Sequence, residues 1–175
     1  MSRALLRRSA LQLAAGAGLL ALGGRAARAA ALAKPSDTPI LTVSGKITQT
    51  NDGDRALFDR AMLEALGMEG FVTQTPWYKH PVRFDGVRLG RLMQAVGARG
   101  DRVLASALND YSSELPIADF AQYGTLLALK RDGQYMPVSD KGPLFIVYPF
   151  DSNPQLQQDK FYMRSVWQVS GLEIR

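Results

Sequence analysis

Apolar residues follow two different spacings along the chain, and these spacings predict its secondary structure. Segments in which β-branched residues alternate with polar ones, or in which apolar residues run on continuously, predict strands. The strand-like segments are residues 40–47, 71–73, 103–108, 126–129, 144–148 and 164–174, with a short turn or strand at 84–87. The run at 144–148 (LFIVY) is the most apolar and predicts a central strand. Asp132-Gly133 is a hairpin-turn signal after the segment at 126–129.

Helical spacing occurs in fewer and shorter segments. Apolar residues spaced three and four apart predict a helix over residues 55–66, with Asp52 or Asp54 as its N-cap and Gly67 as its stop. Shorter helical segments are predicted at residues 89–96, 119–123 and 153–160. Irregular strands interrupted by a few short helices predict a single α+β domain over residues 40–175.

The first 29 residues have the three-part layout of a secretory signal peptide. Arg7-Arg8 precede an uncharged segment at residues 9–24 that is rich in Ala, Leu and Gly, and Ala27-Arg28-Ala29 fits a cleavage site. The uncharged segment has only 16 residues, which is short for a membrane-spanning helix. The arginine pair also resembles a twin-arginine signal, a route that carries folded proteins. We therefore expect a periplasmic protein that is cleaved after Ala29, with residues 30–39 as a linker and no membrane span.

The amino-acid composition of the chain excludes several classes of function. The chain has 21 Lys and Arg and 16 Asp and Glu, but five of the arginines lie in residues 1–29, so the other 146 residues carry 16 basic and 16 acidic side chains. A net charge of zero removes the electrostatic argument for nucleic-acid binding. The absence of cysteine excludes disulfides, thiolate nucleophiles and Cys-ligated metal sites, and His80 is the only histidine.

The order of these segments resembles the molybdopterin-binding oxidoreductase domain of the sulfite oxidase family. The resemblance covers nearly all of residues 40–175 and depends on segment order more than on one motif. It is carried by the strand with Val43-Ser44-Gly45, the loop with Trp77, Phe84-Asp85-Gly86-Val87-Arg88-Leu89, Asn109-Asp110-Tyr111-Ser112 with Leu115-Pro116, residues 127–137, Lys141-Gly142-Pro143-Leu144 through Pro149, and the closing strand. It implies the sulfite oxidase molybdopterin-binding fold and a bound molybdopterin.

The chain departs from that family at one decisive place. In the catalytic family a cysteine a few residues before the loop tryptophan ligates molybdenum, and here that place falls at Thr73, with Thr75 as a neighbour. A hydroxyl is a far poorer ligand than a thiolate for this metal. The family's Arg after Gly-Pro-Leu is here Phe145. We therefore do not expect a sulfite oxidase, and no metal ligand is assigned.

The resemblance implies that a pterin or another anionic or small-molecule ligand would be held by polar and aromatic side chains from distant segments. The candidate cofactor-binding residues are Thr73, Trp77, His80, Asn109, Asp110, Tyr111, Lys141 and Arg164. Each also has a structural interpretation. His80 fits a solvent-facing loop, Trp77 fits a hydrophobic cover and Asn109-Asp110 fits a turn. Lys141 and Arg164 would then pair with Asp110 or Asp140.

Two classes of function stay open. The first is an exported oxidoreductase-like protein that holds molybdopterin and exchanges electrons with a membrane-bound redox partner. The second is a non-catalytic binding or sensor module that holds a small ligand and signals its occupancy to a membrane partner. A weaker third interpretation is an assembly factor for another exported redox protein.

Overall fold

The computed structural model describes residues 32–175, and the predicted signal peptide at residues 1–29 lies outside them. The strands are β1 (Leu41–Gly45), β2 (Ala56–Phe58), β3 (Met68–Thr73), β4 (Val82–Arg88), β5 (Arg102–Ala107), β6 (Ser112–Pro116), β7 (Leu126–Arg131), β8 (Gln134–Tyr135), β9 (Phe145–Val147) and β10 (Val169–Ile174). The helices are α1 (Arg60–Ala65), α2 (Leu89–Ala95), α3 (Ala118–Tyr123) and α4 (Asp159–Arg164), and 3-10 turns occupy Val138–Asp140, Phe150–Ser152 and Pro154–Leu156. Within this part of the chain no helix is long and apolar enough to cross a membrane.

The strands form two five-stranded sheets. The first has the order β2-β1-β10-β5-β6, in which only the β1–β10 pair is parallel. The second has the order β3-β4-β7-β8 and is antiparallel, with β9 also paired to β7. Apolar residues from both sheets and from the helices join one buried cluster. The prediction of a single α+β domain is therefore confirmed.

The β4–β7 pair shows why one glycine is needed. The pairing shifts register between Asp85 and Gly86, and at that bulge β7 runs very close to β4. A Cβ atom on Gly86 would overlap the Leu127 carbonyl oxygen. The hairpin from β7 to β8 turns at Asp132 and Gly133, which both have positive φ, as the Asp-Gly signal predicted.

The predicted helix over residues 55–66 is wrong in its first half. Ala56 and Phe58 are fully buried in β2, which pairs with β1, and the helix starts only after Asp59. The carboxylate of Asp59 accepts hydrogen bonds from the Met62 backbone N–H and from the N–H groups of Ser36 and Asp37, at 2.7 to 3.0 Å. Asp59, and not Asp52 or Asp54, is therefore the N-cap of α1. The residues before Asp59 form a strand because alternate side chains there are buried.

The predicted C-terminal elements also need correction. Asn153 caps a 3-10 turn at Pro154–Leu156, and the predicted helix at 153–160 does not continue through it. Residues 159–164 form α4 instead, so the closing strand starts at Val169 and not at Arg164. The polar segment that became β6 was not predicted as a strand. It pairs along β5 at the edge of the first sheet, where one exposed side tolerates polar residues.

Candidate functional site

A cavity of about 290 Å³ opens between the loop after β3, the β5–β6 turn and the segment from α4 to β10. We call it the aromatic pocket. Its lining residues are Trp77, Asn109, Tyr111, Tyr162, Met163, Ser165 and Trp167. Three of the predicted site residues (Trp77, Asn109 and Tyr111) therefore lie together, although they are far apart in the sequence.

Aromatic rings build the inner wall of this pocket. The ring of Trp77 lies edge-on to the rings of Trp167 and Tyr162, with centroids 5.6 and 6.2 Å apart, and it also contacts Phe145 and Phe150 in the core. Such edge-to-face packing holds the rings in one arrangement. The pocket wall is therefore a rigid apolar surface, and Trp77 both covers the core and lines the site.

Polar groups occur only at a few places in the pocket. The side-chain oxygen of Asn109 accepts a hydrogen bond from the Tyr111 backbone N–H at 3.2 Å. Within residues 32–175 the exposed Asn109 amide NH₂ makes no hydrogen bond, so it can donate to a ligand. The Tyr111 hydroxyl donates to the Met163 carbonyl at 2.8 Å and so joins the β5–β6 turn to α4. The Ser165 hydroxyl donates to the Phe161 carbonyl at 2.9 Å. No charged side chain belongs to the lining.

Asp110 lies in the same turn but does not join the lining. It is exposed and has a positive φ of 64°, which matches the structural interpretation of Asn109-Asp110 as a turn. Its role in the fold is therefore to let the chain reverse between β5 and β6. That reversal presents Asn109 and Tyr111 to the pocket.

Thr73 is placed beside this region but its hydroxyl is already occupied. The side chain is fully buried at the end of β3, where Oγ1 accepts from the Asp151 backbone N–H at 3.2 Å and donates to the Gln74 carbonyl at 3.3 Å. These bonds tie β3 to the 3-10 turn at Phe150–Ser152. Thr73 therefore has a structural role at the place where the resemblance puts a metal ligand.

Arg164 is directed to the core side of α4, away from the pocket. Its guanidinium lies 2.8 Å from the Asp119 carboxylate, and the Tyr148 hydroxyl donates to the same carboxylate oxygen at 2.9 Å. Burial, and then the Asp119 charge, raise the pKa of the Tyr148 hydroxyl far above its ordinary value, so it remains a donor. The ion-pair partner of Arg164 is thus Asp119, and not Asp110 or Asp140 as the sequence suggested.

Lys141 and His80 lie outside the aromatic pocket. The Lys141 ammonium is 3.6 Å from Asp140 and lies over the rings of Tyr78 and Trp167, 4.8 and 5.5 Å from their centroids. The pairing with Asp140 agrees with its structural interpretation. His80 is exposed and borders a separate, shallow surface pocket that Tyr78 and Asp140 also line. Neither residue lines the aromatic pocket.

Four lining residues were not predicted: Tyr162, Met163, Ser165 and Trp167. Tyr162 and Met163 belong to α4 and lie between the predicted helix at 153–160 and the predicted strand at 164–174, whereas Ser165 and Trp167 fall within that predicted strand. The useful signal was Trp167, since it is the second of only two tryptophans in the chain.

Comparison with known families identifies the fold. The family model of the oxidoreductase molybdopterin-binding domain matches residues 54–150, which is more than half of the chain. The chain belongs to this family. The match includes β2 to β9 and the loop with Trp77, and it ends before α4. A comparison with curated proteins finds no match.

Members of this family bind molybdopterin. We therefore compare the side chains of the aromatic pocket with the groups that this cofactor needs. The pocket supplies rings and one free amide, which suit a flat heterocycle. It supplies no thiolate for molybdenum, since the chain has no cysteine, and no cation for a phosphate, since Arg164 and Lys141 do not line it. Among residues 32–175 no group of three or more acidic or histidine side chains is placed to hold a metal. The residues present therefore do not fit the complete metal-bearing cofactor.

Proposed function

We propose that this member of the molybdopterin-binding family is a non-catalytic binding module for a small, flat, uncharged heteroaromatic ring. The observation that carries the proposal is the lining of the aromatic pocket: two tryptophans and two tyrosines surround one free amide donor, and no charged side chain takes part. A cavity of about 290 Å³ is also at the small end of ligand pockets, which favours a compound of one or two rings.

Both tryptophans of the chain line this pocket, so tryptophan fluorescence reports on its occupancy. The test is a titration of purified, metal-free protein with free pterin, which absorbs where tryptophan emits. We expect saturable energy transfer with a Kd on the order of 10–100 µM, as suits so small a ligand. Cyclohexanol, which is uncharged but not flat, should not compete. A linear response with no saturation contradicts the proposal.

A matched pair of variants locates the ligand. Asn109→Asp keeps the oxygen that accepts from the Tyr111 N–H but removes the free NH₂ donor. We expect pterin affinity to fall roughly three- to tenfold, the effect of one lost hydrogen bond. Asn153→Asp is the control, because Asn153 makes the same kind of local bond, to the Gln155 N–H, outside the pocket. An equal loss in both variants would mean that the pocket is not the binding site.

The family match favours a second candidate, an oxidoreductase-like protein that carries molybdopterin. Its test is analysis of molybdenum and pterin in protein exported by a host supplied with molybdate. Stoichiometric molybdenum would support this candidate against the binding module. Protein that contains neither, yet binds free pterin, would support the binding module.

The N-terminal arginine pair and the uncharged segment after it support the further proposal of export to the periplasm by the twin-arginine route. There the module would report its occupancy to a membrane-bound partner. Replacing Arg7 and Arg8 together by lysine should leave the uncleaved chain in the cytoplasm. Normal export of that variant would contradict the assignment of the route.

A further inference from the structure

A second cavity, also of about 290 Å³, lies on the other side of Tyr162 from the aromatic pocket. It is formed by the loop after β3 and by the two 3-10 turns before α4. Its lining residues are Gln74, Thr75, Pro76, Phe150, Asp151, Gln157 and Tyr162. We call it the acceptor pocket, for the hydrogen-bonding groups described next.

The two side-chain amides that line this pocket donate to backbone carbonyls of the protein. The Gln74 side-chain NH₂ donates to the carbonyls of Thr75 and Tyr78 at 3.1 and 2.8 Å, and the Gln74 backbone N–H donates to the Asp151 carboxylate at 2.7 Å. The Gln157 NH₂ donates to the Phe150 carbonyl at 3.3 Å. Because both amide nitrogens are directed to backbone carbonyls, both side-chain carbonyl oxygens are left as acceptors.

Two further groups in this pocket are available to a ligand, the Thr75 hydroxyl and the Asp151 carboxylate. Thr75 is only 3% exposed, and within residues 32–175 its hydroxyl forms no hydrogen bond, which is rare for a buried polar atom. The Asp151 carboxylate forms no ion pair with any lysine or arginine in the same part of the chain. The pocket thus presents a negative charge, two amide oxygens and an unpartnered hydroxyl.

We propose that the acceptor pocket binds an organic cation with N–H donors, such as a guanidinium or a primary ammonium group. Such a group would donate to the Asp151 carboxylate and the amide oxygens and give the Thr75 hydroxyl a partner. The rings of Phe150 and Tyr162 line the same space and favour a cation over a neutral donor. An anion would be repelled by the Asp151 carboxylate.

The probe is methylguanidinium, added to ¹⁵N-labelled mature protein while backbone amide shifts are recorded. We expect saturable shifts confined to Gln74, Thr75, residues 150–157 and Tyr162. Tetramethylammonium, a cation without N–H donors, should bind at least about fivefold more weakly because it cannot use the acceptors. Equal binding of the two cations, or shifts spread over the whole surface, would overturn the proposal.

Variants test the individual groups. Asp151→Asn keeps an oxygen for the Gln74 N–H but removes the charge, and Thr75→Val removes only the hydroxyl; each should weaken methylguanidinium binding roughly three- to tenfold. Gln157→Glu, which adds a second charge, should tighten methylguanidinium binding.

Asp159→Asn is the control, because Asp159 is exposed on α4 and does not line the pocket. Loss of binding in Asp159→Asn equal to that in Asp151→Asn would mean general charge attraction and would overturn the proposal. Pterin fluorescence reads the aromatic pocket separately, so the two proposals can fail independently.

Discussion

Replacing Asp119 by alanine should weaken both the fold and the aromatic pocket. Asp119 is at the start of α3, and its carboxylate joins the Tyr148 hydroxyl in the core to Arg164 at the end of α4. Helix α4 also carries Tyr162 and Met163, and Ser165 follows it. The position of three pocket residues therefore depends on the contact between Asp119 and Arg164. Because the side chains of Asp119 and Arg164 are 9% and 23% exposed, the pair is only partly screened by water.

The expected loss can be worked out from the groups left behind. The fully buried Tyr148 hydroxyl would lose its acceptor, which costs about 1–3 kcal/mol. The Arg164 guanidinium can still reach water, so its lost ion pair adds only about 0.5–1 kcal/mol. We therefore expect Asp119→Ala to lower the free energy of unfolding by about 1.5–4 kcal/mol and Tm by about 4–12 °C.

Urea denaturation of Asp119→Ala, Tyr148→Phe and the double variant measures this effect. Tyr148→Phe should cost only about 1 kcal/mol, because the carboxylate keeps Arg164 as a partner. The double variant should be more stable than the sum of the two changes predicts, since the unpaired hydroxyl is then gone. Pterin binding should weaken in Asp119→Ala more than in Tyr148→Phe. If Asp119→Ala is no less stable than Tyr148→Phe, the carboxylate does not anchor α4.

Three further predictions concern single groups. Tyr111→Phe removes the exposed hydrogen bond to the Met163 carbonyl near the end of α4, so the free energy of unfolding should change by less than about 0.5 kcal/mol. Stopped-flow fluorescence should show faster pterin dissociation, and unchanged dissociation would argue against a role of this hydroxyl at the pocket mouth. Thr73→Val leaves the Asp151 N–H without its acceptor and should lower the free energy of unfolding, measured by urea denaturation, by about 1–2 kcal/mol. Pterin affinity should stay unchanged, and a reduced affinity would place the Thr73 hydroxyl in the aromatic pocket. The hydrogen bond and charge of Arg131 hold the pKa of Asp140 below its ordinary value, so this carboxylate stabilises the fold above the unfolded pKa, and that stability is lost as pH falls through the folded value. Asp140→Asn should therefore lose less stability than the parent between about pH 6 and about pH 3, and identical losses would contradict this assignment.

Local patterns predicted most elements that depend on nearby residues. The Asp132-Gly133 turn, α2 and the strand at β5 follow from turn chemistry and apolar spacing. The start of α1 could not be predicted from local patterns. The choice of Asp59 over Asp52 or Asp54 depends on the pairing of β2 with β1 and on hydrogen bonds to the linker. Pairing between distant strands is not visible in a short window.

The candidate site was predicted in part for the same reason. Trp77, Asn109 and Tyr111 were found because the family resemblance marked their loops, and the fold brings them to one pocket. The contribution of α4 was missed because the predicted helix ended at about residue 160, four residues before the end of α4. The partner of Arg164 was missed because Asp119 comes from a different helix, 45 residues earlier in the chain. Ion pairs of this kind depend on tertiary packing.

The central claim is that the aromatic pocket binds a flat ring without a metal. It is tested most directly by measuring tryptophan-to-pterin energy transfer in protein purified from a host that makes no molybdenum cofactor. We predict saturable transfer with one site per chain, weakened by Asn109→Asp and not by Asn153→Asp. Absence of saturable transfer in this protein would contradict the claim, and stoichiometric molybdenum in protein from a host that makes the cofactor would favour the oxidoreductase-like alternative.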